Sequence, residues 1–223
     1  MTNFTLIRHG ETAWNRELRF QGQLDVPLNE MGILQAQRLK SRVLNELDGW
    51  RANNQVPTRL ISSDLLRAQQ TAEPLSEVLE QDCIVDNRWR EQCFGIFEGL
   101  QAKDIQVREP EAWKRWLAFD PDYAVHGAES TRAFYDRVVA ALHDLAQQYQ
   151  SEHVVVVTHG GVLDMIWRHA RSEPLQGPRV CDIPNAGLNH VAWKDDALHI
   201  KLWADAAHLS DLPAQPVYRQ TKK

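Results

Sequence analysis

The 223-residue chain is poor in the features that mark several large protein classes. It has only three cysteines, Cys83, Cys93 and Cys181. An odd, scattered set builds no disulfide framework and points to a reducing compartment. None has a second ligand at metal-site spacing, so no structural metal is expected. Long apolar runs are missing too. The longest, Val154–Val157, is far below the ~20 residues that cross a bilayer, so no membrane partner is expected. The start of the chain lacks a basic-then-apolar leader pattern, and the expected location is cytoplasmic. Positive charge is not in excess: 25 Lys and Arg face 30 Asp and Glu, for a net charge of −5. That disfavours nucleic acid as a partner. Two phosphate-handling signatures are also absent. There is no Gly-x4-Gly-Lys-Ser/Thr loop. Nor does an arginine follow any cysteine six positions on, where Trp89, Gly99 and Gly187 stand instead. A P-loop kinase and a cysteine-dependent phosphatase are thereby excluded.

What is present is an alternation of short apolar runs with longer helical periods. It predicts an α/β fold with a mainly parallel sheet. Strands are expected at Asn3–Arg8, Leu60-Ile61, Cys83–Val85 and His153–Thr158, and a closing hairpin around Lys194-Asp195-Asp196. A helix is expected from the N-cap Asn29, with Ile33, Ala36, Leu39, Val43 and Leu47 on one face and an end at Asp48-Gly49. Ser62-Ser63-Asp64 is read as the cap of a helix carrying Leu65, Ala68, Ala72, Leu75 and Leu79. Glu129 or Ser130 opens another, and Gly160-Gly161 a last one. Residues 87–128 read as irregular, with a short helix around Trp113. One domain is expected over 1–204, with a segment of about 95–128 as a cap and 205–223 as an extended tail.

The chemistry gathers at two strand ends. His9 follows Ile7-Arg8 and precedes Gly10; His159 follows Val157-Thr158 and precedes Gly160-Gly161. Carboxyl ends of strands in open α/β sheets are where ligands bind. Glycine lets the backbone approach a ligand, and the helix after Gly160 aims free N–H groups at the same place. An imidazole beside Arg8 suits attack on an anionic electrophile such as a phosphoryl group. An arginine in an apolar strand end needs an anionic partner if buried. Arg67, near the start of its helix, offers a planar fork for phosphate oxygens. Two carboxyls compete for the acid role: Glu91, flanked by aromatics that would keep it protonated, and Glu98, whose neighbours Phe97 and Gly99 suit a loop anchor. The residues alone leave these two nearly even.

The stretches Leu6–Asn15, Arg19–Gly22, Ile61–Ala72, Arg90–Gly99, His126–Ser130 and Val154–Leu163 occur in the order found in one family. The chain resembles the histidine phosphatase superfamily, the phosphoglycerate-mutase-like group, and looks closest to its small bacterial phosphatase branch. The match runs from Thr5 to about Trp203. The resemblance implies a three-layer sandwich with helices on both sheet faces and a small cap over the site. It implies that His9 is the nucleophile that becomes phosphohistidine, that Arg8, Arg67 and His159 hold the phosphate, and that Asn15 and the Gly160 N–H add contacts. Glu91 matches the proton donor, Gln21 and Gly22 line the substrate side, and Glu11 and Thr12 hold the loop. The implied activity is metal- and cofactor-independent hydrolysis of a small phosphorylated metabolite. A phosphoglycerate mutase-type transfer is the alternative, and a non-catalytic phospholigand-binding domain a lesser one. The cap is short and rich in aromatics (Trp113, Trp116, Phe119, Tyr123) beside the aliphatic Leu117, which favours hydrolysis over a mutase needing extra cations. The same aromatics could equally serve only to pack the cap. Homo-oligomerisation is left open.

Overall fold

The computed structural model describes residues 1–216. Its centre is a six-stranded sheet in the order β3-β2-β4-β1-β5-β6. The strands are β1 Thr2–Arg8, β2 Arg59–Ser62, β3 Cys83–Val85, β4 His153–Thr158, β5 Leu188–Lys194 and β6 Ala197–Asp205. β1 to β4 run parallel, while β5 and β6 add antiparallel to the β1 edge. Asp195 and Asp196 turn the last hairpin with φ of 51° and 56°, the paired positive values that a tight two-residue turn requires.

The period of two in the strands sorts the core. Phe4, Leu6, Val154 and Val156 pack against α6 (Thr131–Gln148) and α7 (Gly160–Arg171). Ile7, Val155 and Val157 face α2 (Glu30–Ala52) and α3 (Leu66–Leu79) on the other side. β4 is buried throughout, and each of its valines contributes about 1.5–3 kcal/mol. The result is the expected three-layer α/β sandwich. The cap has its own apolar cluster, with Phe97, Ile105, Trp113 and Val125 packed by Phe20 and Trp116. It is built on α4 (Ala102–Arg108) and α5 (Pro110–Trp116). A first short helix, α1 (Ala13–Arg16), follows β1.

Several boundaries differ from the sequence expectation. α2 passes through Gly49 to Ala52 because Trp50 packs on the core and sets its ring edge-on to His153, which offsets the ~1 kcal/mol cost of a helical glycine. Ile33 is 52% exposed, and Gln35 takes the buried place, accepting a hydrogen bond from Glu11 N. Ser62-Ser63-Asp64 do not supply the N-cap residue of α3, which is Leu65. Asp64 is committed to Arg90, and Ser63 to His159. The helices α1 and α4 were not anticipated; α1 is a single turn closed by reciprocal hydrogen bonds between Thr12 and Asn15. After β6 the chain turns back. Leu209 is buried in the α2–α3 side of the core, with Ala206 and Leu212 beside it. Gln215 exchanges hydrogen bonds with the backbone of Asn185. The remainder of the expected tail, 217–223, lies outside the described residues.

Candidate active site

β1 and β4 are adjacent and parallel, so their carboxyl ends bring His9 and His159 together, with ring centroids 5.1 Å apart. Both are buried. His9 is fixed through its backbone on each side. Its N–H bonds to Thr158 O, its carbonyl accepts from Asn185 Nδ2 at 2.8 Å, and Gly10 N bonds to Thr71 Oγ1. The ring Nδ1 lies 2.7 Å from Gly10 O. A carbonyl only accepts, so Nδ1 carries the proton and Nε2 keeps its lone pair. His159 Nε2 meets Ser63 Oγ at 2.8 Å. With that hydroxyl donating to Nε2, the His159 proton rests on Nδ1, which is buried and has no partner.

The arginines complete the cage. Arg67, fully buried near the start of α3, donates to Gly22 O and Leu24 O, both at 2.8 Å. Arg8 donates to Ile183 O at 2.7 Å. The Nε of each is buried and without a partner. Burial first, then Arg67 and Arg8, holds His9 well below its usual 6.5. His159 is held down the same way, with Arg67 the foremost charge. Burial also pushes Arg8 and Arg67 down to about 10, which leaves both charged at neutral pH; Arg179 adds to the effect on Arg8. The cage is therefore crowded with positive charge and desolvated donors, and suits an anion.

Glu91 stands at the first turn of α7. Its carboxylate accepts from Gly161 N at 3.0 Å and from Gln92 N at 2.8 Å. Backbone donors hold it, where the sequence had suggested aromatic neighbours. A Cβ at Gly161 would come within 2.0 Å of Glu91 Oε1, so a side chain here would displace the Glu91 carboxyl. Glu98 instead ties two loops, accepting from Gln23 N and Phe94 N. It also fills the space a side chain at Gly22 would need, and Gly22 has a φ of +51°.

A cavity of about 1020 Å³ opens over this cage, lined by Arg8, His9, Asn15, Gln21, Gly22, Arg67 and Glu91. Asn15 Oδ1 is engaged by Thr12 and Asn185, and Gln21 Oε1 by the Thr12 hydroxyl. Gly160 begins α7 beside the Arg8 guanidinium. Glu11 is buried and bound by Arg16 and Asn29, which fixes the loop after His9. Trp116, Phe119 and Tyr123 of the cap line the cavity, while Trp113 is buried in the cap's own cluster. Cys93 and Cys181 also line it, but burial raises both thiols, Cys181 to about 12. Among the described residues no cluster of three or more His, Cys, Asp or Glu could hold a metal ion. Among them, too, no helix is long and apolar enough to cross a membrane.

Sequence reasoning missed Ser63 as the partner of His159, Thr71 and Asn185 as clamps on the His9 backbone, and Arg179 at the rim. Asn185 lies in Ile183-Pro184-Asn185-Ala186-Gly187, a turn signature that carries no chemical hint. For Thr12 and Asn15 the three-residue spacing of a capping pair was available.

The histidine phosphatase superfamily (branch 1) matches residues 4–206. The chain belongs to that superfamily. Histidine phosphatase relatives carry both kinds of name. A phosphoglycerate mutase-like protein of Arabidopsis thaliana is 34% identical over 209 residues, 92% of this chain and 86% of the relative. A metal-independent phosphoserine phosphatase of the same plant is 34% identical over 219 residues, 95% and 85%. A solved mycobacterial glucosyl-3-phosphoglycerate phosphatase, in complex with VO3, superposes with a TM-score of 0.76 at 28% identity, covering 92% of this chain and 99% of that one. Phosphatase or mutase activity is thus the common ground of these relatives.

Proposed function

We propose that the protein is a metal-independent phosphomonoesterase that acts on small organic phosphates through a phosphohistidine at His9. The observation that carries this reading is a set of buried, unpartnered donors, Arg8 Nε, Arg67 Nε and His159 Nδ1, gathered around an imidazole whose Nδ1 is paired with Gly10 O, which leaves the lone pair on Nε2. These donors bind the equatorial phosphoryl oxygens and supply the charge that metal ions supply in other phosphoryl-transfer sites. Asn15, Gln21 and the Gly160 N–H add contacts, and Gly22 holds Arg67 in place through its carbonyl.

His9 Nε2 attacks phosphorus in line. The N–P bond forms, the ester P–O bond breaks, and the alkoxide takes a proton from Glu91 as it leaves. Glu91, now a carboxylate, accepts a proton from the incoming water. That water cleaves the N–P bond and releases inorganic phosphate. The cap favours hydrolysis over mutase transfer. Its cations Lys103, Arg108, Lys114 and Arg115 are exposed and do not line the cavity, whereas Trp116, Phe119 and Tyr123 do.

The test is rapid-quench trapping during turnover of a phosphorus-labelled ester with chelator present. An acid-labile, alkali-stable adduct at His9 is expected, and His9→Ala should lose at least about 10⁴-fold in kcat. Substantial turnover by His9→Ala, with no adduct in the wild type, would overturn the reading.

A further inference from the structure

Arg179 belongs to none of the groups assigned so far. It comes from the irregular segment between α7 and β5, and that segment is anchored just before it. Arg168, 4% exposed, donates to Asp164 and to the carbonyls of Pro174, Gly177 and Pro178. The Arg179 side chain is 41% exposed and lines the same cavity as His9. Its Nη1 lies 3.4 Å from the point a Cβ on Gly160 would occupy, and Arg8 Nε lies 3.3 Å from that same point. Two guanidiniums thus converge on the first residue of α7. Arg179 is the leading charge acting against Arg8. Nothing nearby balances it fully. Its one ion pair among the described residues is with Asp164 Oδ1, at 3.9 Å. Asp164 is already committed to Arg168 at 3.1 Å.

We propose that Arg179 determines specificity by binding a second anionic group of the substrate, a carboxylate or a second phosphate carried close to the phosphoryl group. This rests on the phosphomonoesterase reading above. The phosphoryl group takes its donors from the buried floor. Arg179 stands outside that floor, partly exposed, on the wall where α7 leads out past Asp164 into the wider cavity. An anion placed between Arg8 and Arg179 relieves the repulsion between them and gains charge-assisted hydrogen bonds. A neutral leaving group leaves that repulsion in place. The substrates favoured are therefore phosphomonoesters with a second negative charge.

The experiment uses the full chain and the variants Arg179→Ala and Arg179→Lys, with two matched pairs of esters. One pair is 3-phosphoglycerate against glycerol 3-phosphate; the other is fructose 1,6-bisphosphate against fructose 6-phosphate. The wild type should prefer the more anionic member of at least one pair, and which pair it is tells carboxylate from phosphate. In Arg179→Ala that preference should fall by about 10- to 100-fold, the worth of one charged hydrogen bond, chiefly through KM. Arg179→Lys should recover part of it. An equal loss on charged and neutral members would assign Arg179 to the phosphoryl group and overturn the proposal, as would an unchanged preference. If the wild type cleaves p-nitrophenyl phosphate but shows no anionic preference, this proposal alone fails. If it cleaves no ester at all, the phosphomonoesterase reading fails and takes this one with it.

Discussion

At the floor of the cavity, Arg8, His9 and Arg67, with His159 buried beside His9, are polar and held by hydrogen bonds to backbone and hydroxyl groups. At its roof, Phe20 and Trp116 line the cavity and pack on the buried Phe97 and Trp113, mostly edge to face, with Trp113 and Trp116 stacked at 5.1 Å. The floor rests on the ends of β1 and β4 and on the first turns of α3 and α7. The roof is a separate small cluster set on two seven-residue helices. A fixed floor suits a phosphoryl group, whose shape does not vary between substrates. A roof with its own core can change its lining while the chemistry below stays in register.

The comparison makes the roles separable. The sharpest break comes from Glu91, whose carboxylate is held at the floor by Gly161 N. Glu91→Gln keeps the shape but has no acidic proton to give. Turnover of alkyl esters should fall by about 10²–10⁴-fold, and that of p-nitrophenyl phosphate, whose leaving group needs little protonation, far less. An equal loss on both esters would remove Glu91 as the proton donor. The roof should behave differently. Trp116→Ala removes a ring that lines the cavity without touching the floor. The expected result is a rise of about three- to tenfold in KM for esters with aromatic leaving groups, with kcat changed less. Were kcat to fall as steeply as in Glu91→Gln, the floor and roof would not be independent.

The floor was also the part more legible in the sequence. His9 and His159 each follow an apolar strand and precede glycine, and the parallel pairing of β1 with β4 turns that shared context into proximity. The apolar runs Asn3–Arg8 and His153–Thr158 read as strands, and β1 and β4 stand there. What could not be read were partners fixed only by folding. Ser63 looked like a helix cap because serine before an apolar period usually is one; the structure gives its hydroxyl to His159. Asp64 met Arg90 across 26 residues of sequence, a pairing no local pattern encodes. Glu91 and Glu98 were nearly even by neighbours. Their separation depends on Gly161 and Gly22, which lie far from them in the chain and close in space. In the roof, Trp113 and Trp116 share one short helix and a stack, yet one is buried and the other lines the cavity.

Acid offers the gentlest way to tell the two regions apart. Buried histidines are concentrated in and around the sheet. His9 and His159 are held well below 6.5 by burial, then by Arg67. Burial also lowers His153, whose Nδ1–H donates to Gln55 O, and His190, which falls to about 4. Each takes up a proton near 6.5 when unfolded and stays neutral when folded. The stability they contribute is therefore complete above 6.5 and is lost as the pH falls below it, for His190 down to about 4. The slope is about 1.4 kcal/mol per pH unit for each such histidine. The roof's buried cluster of Phe97, Ile105, Trp113 and Val125 contains no ionisable side chain. Melting temperature should thus decline steadily below pH 6.5, and hydrogen exchange should rise first in peptides from β1 and β4, with α4 and α5 protected longer. Inorganic phosphate, on the proposed reading a ligand of the floor alone, should restore protection there before it affects the roof. A flat melting temperature down to pH 4.5, or exchange that begins in the cap, would mean that the floor's buried imidazoles do not set the acid limit of the fold.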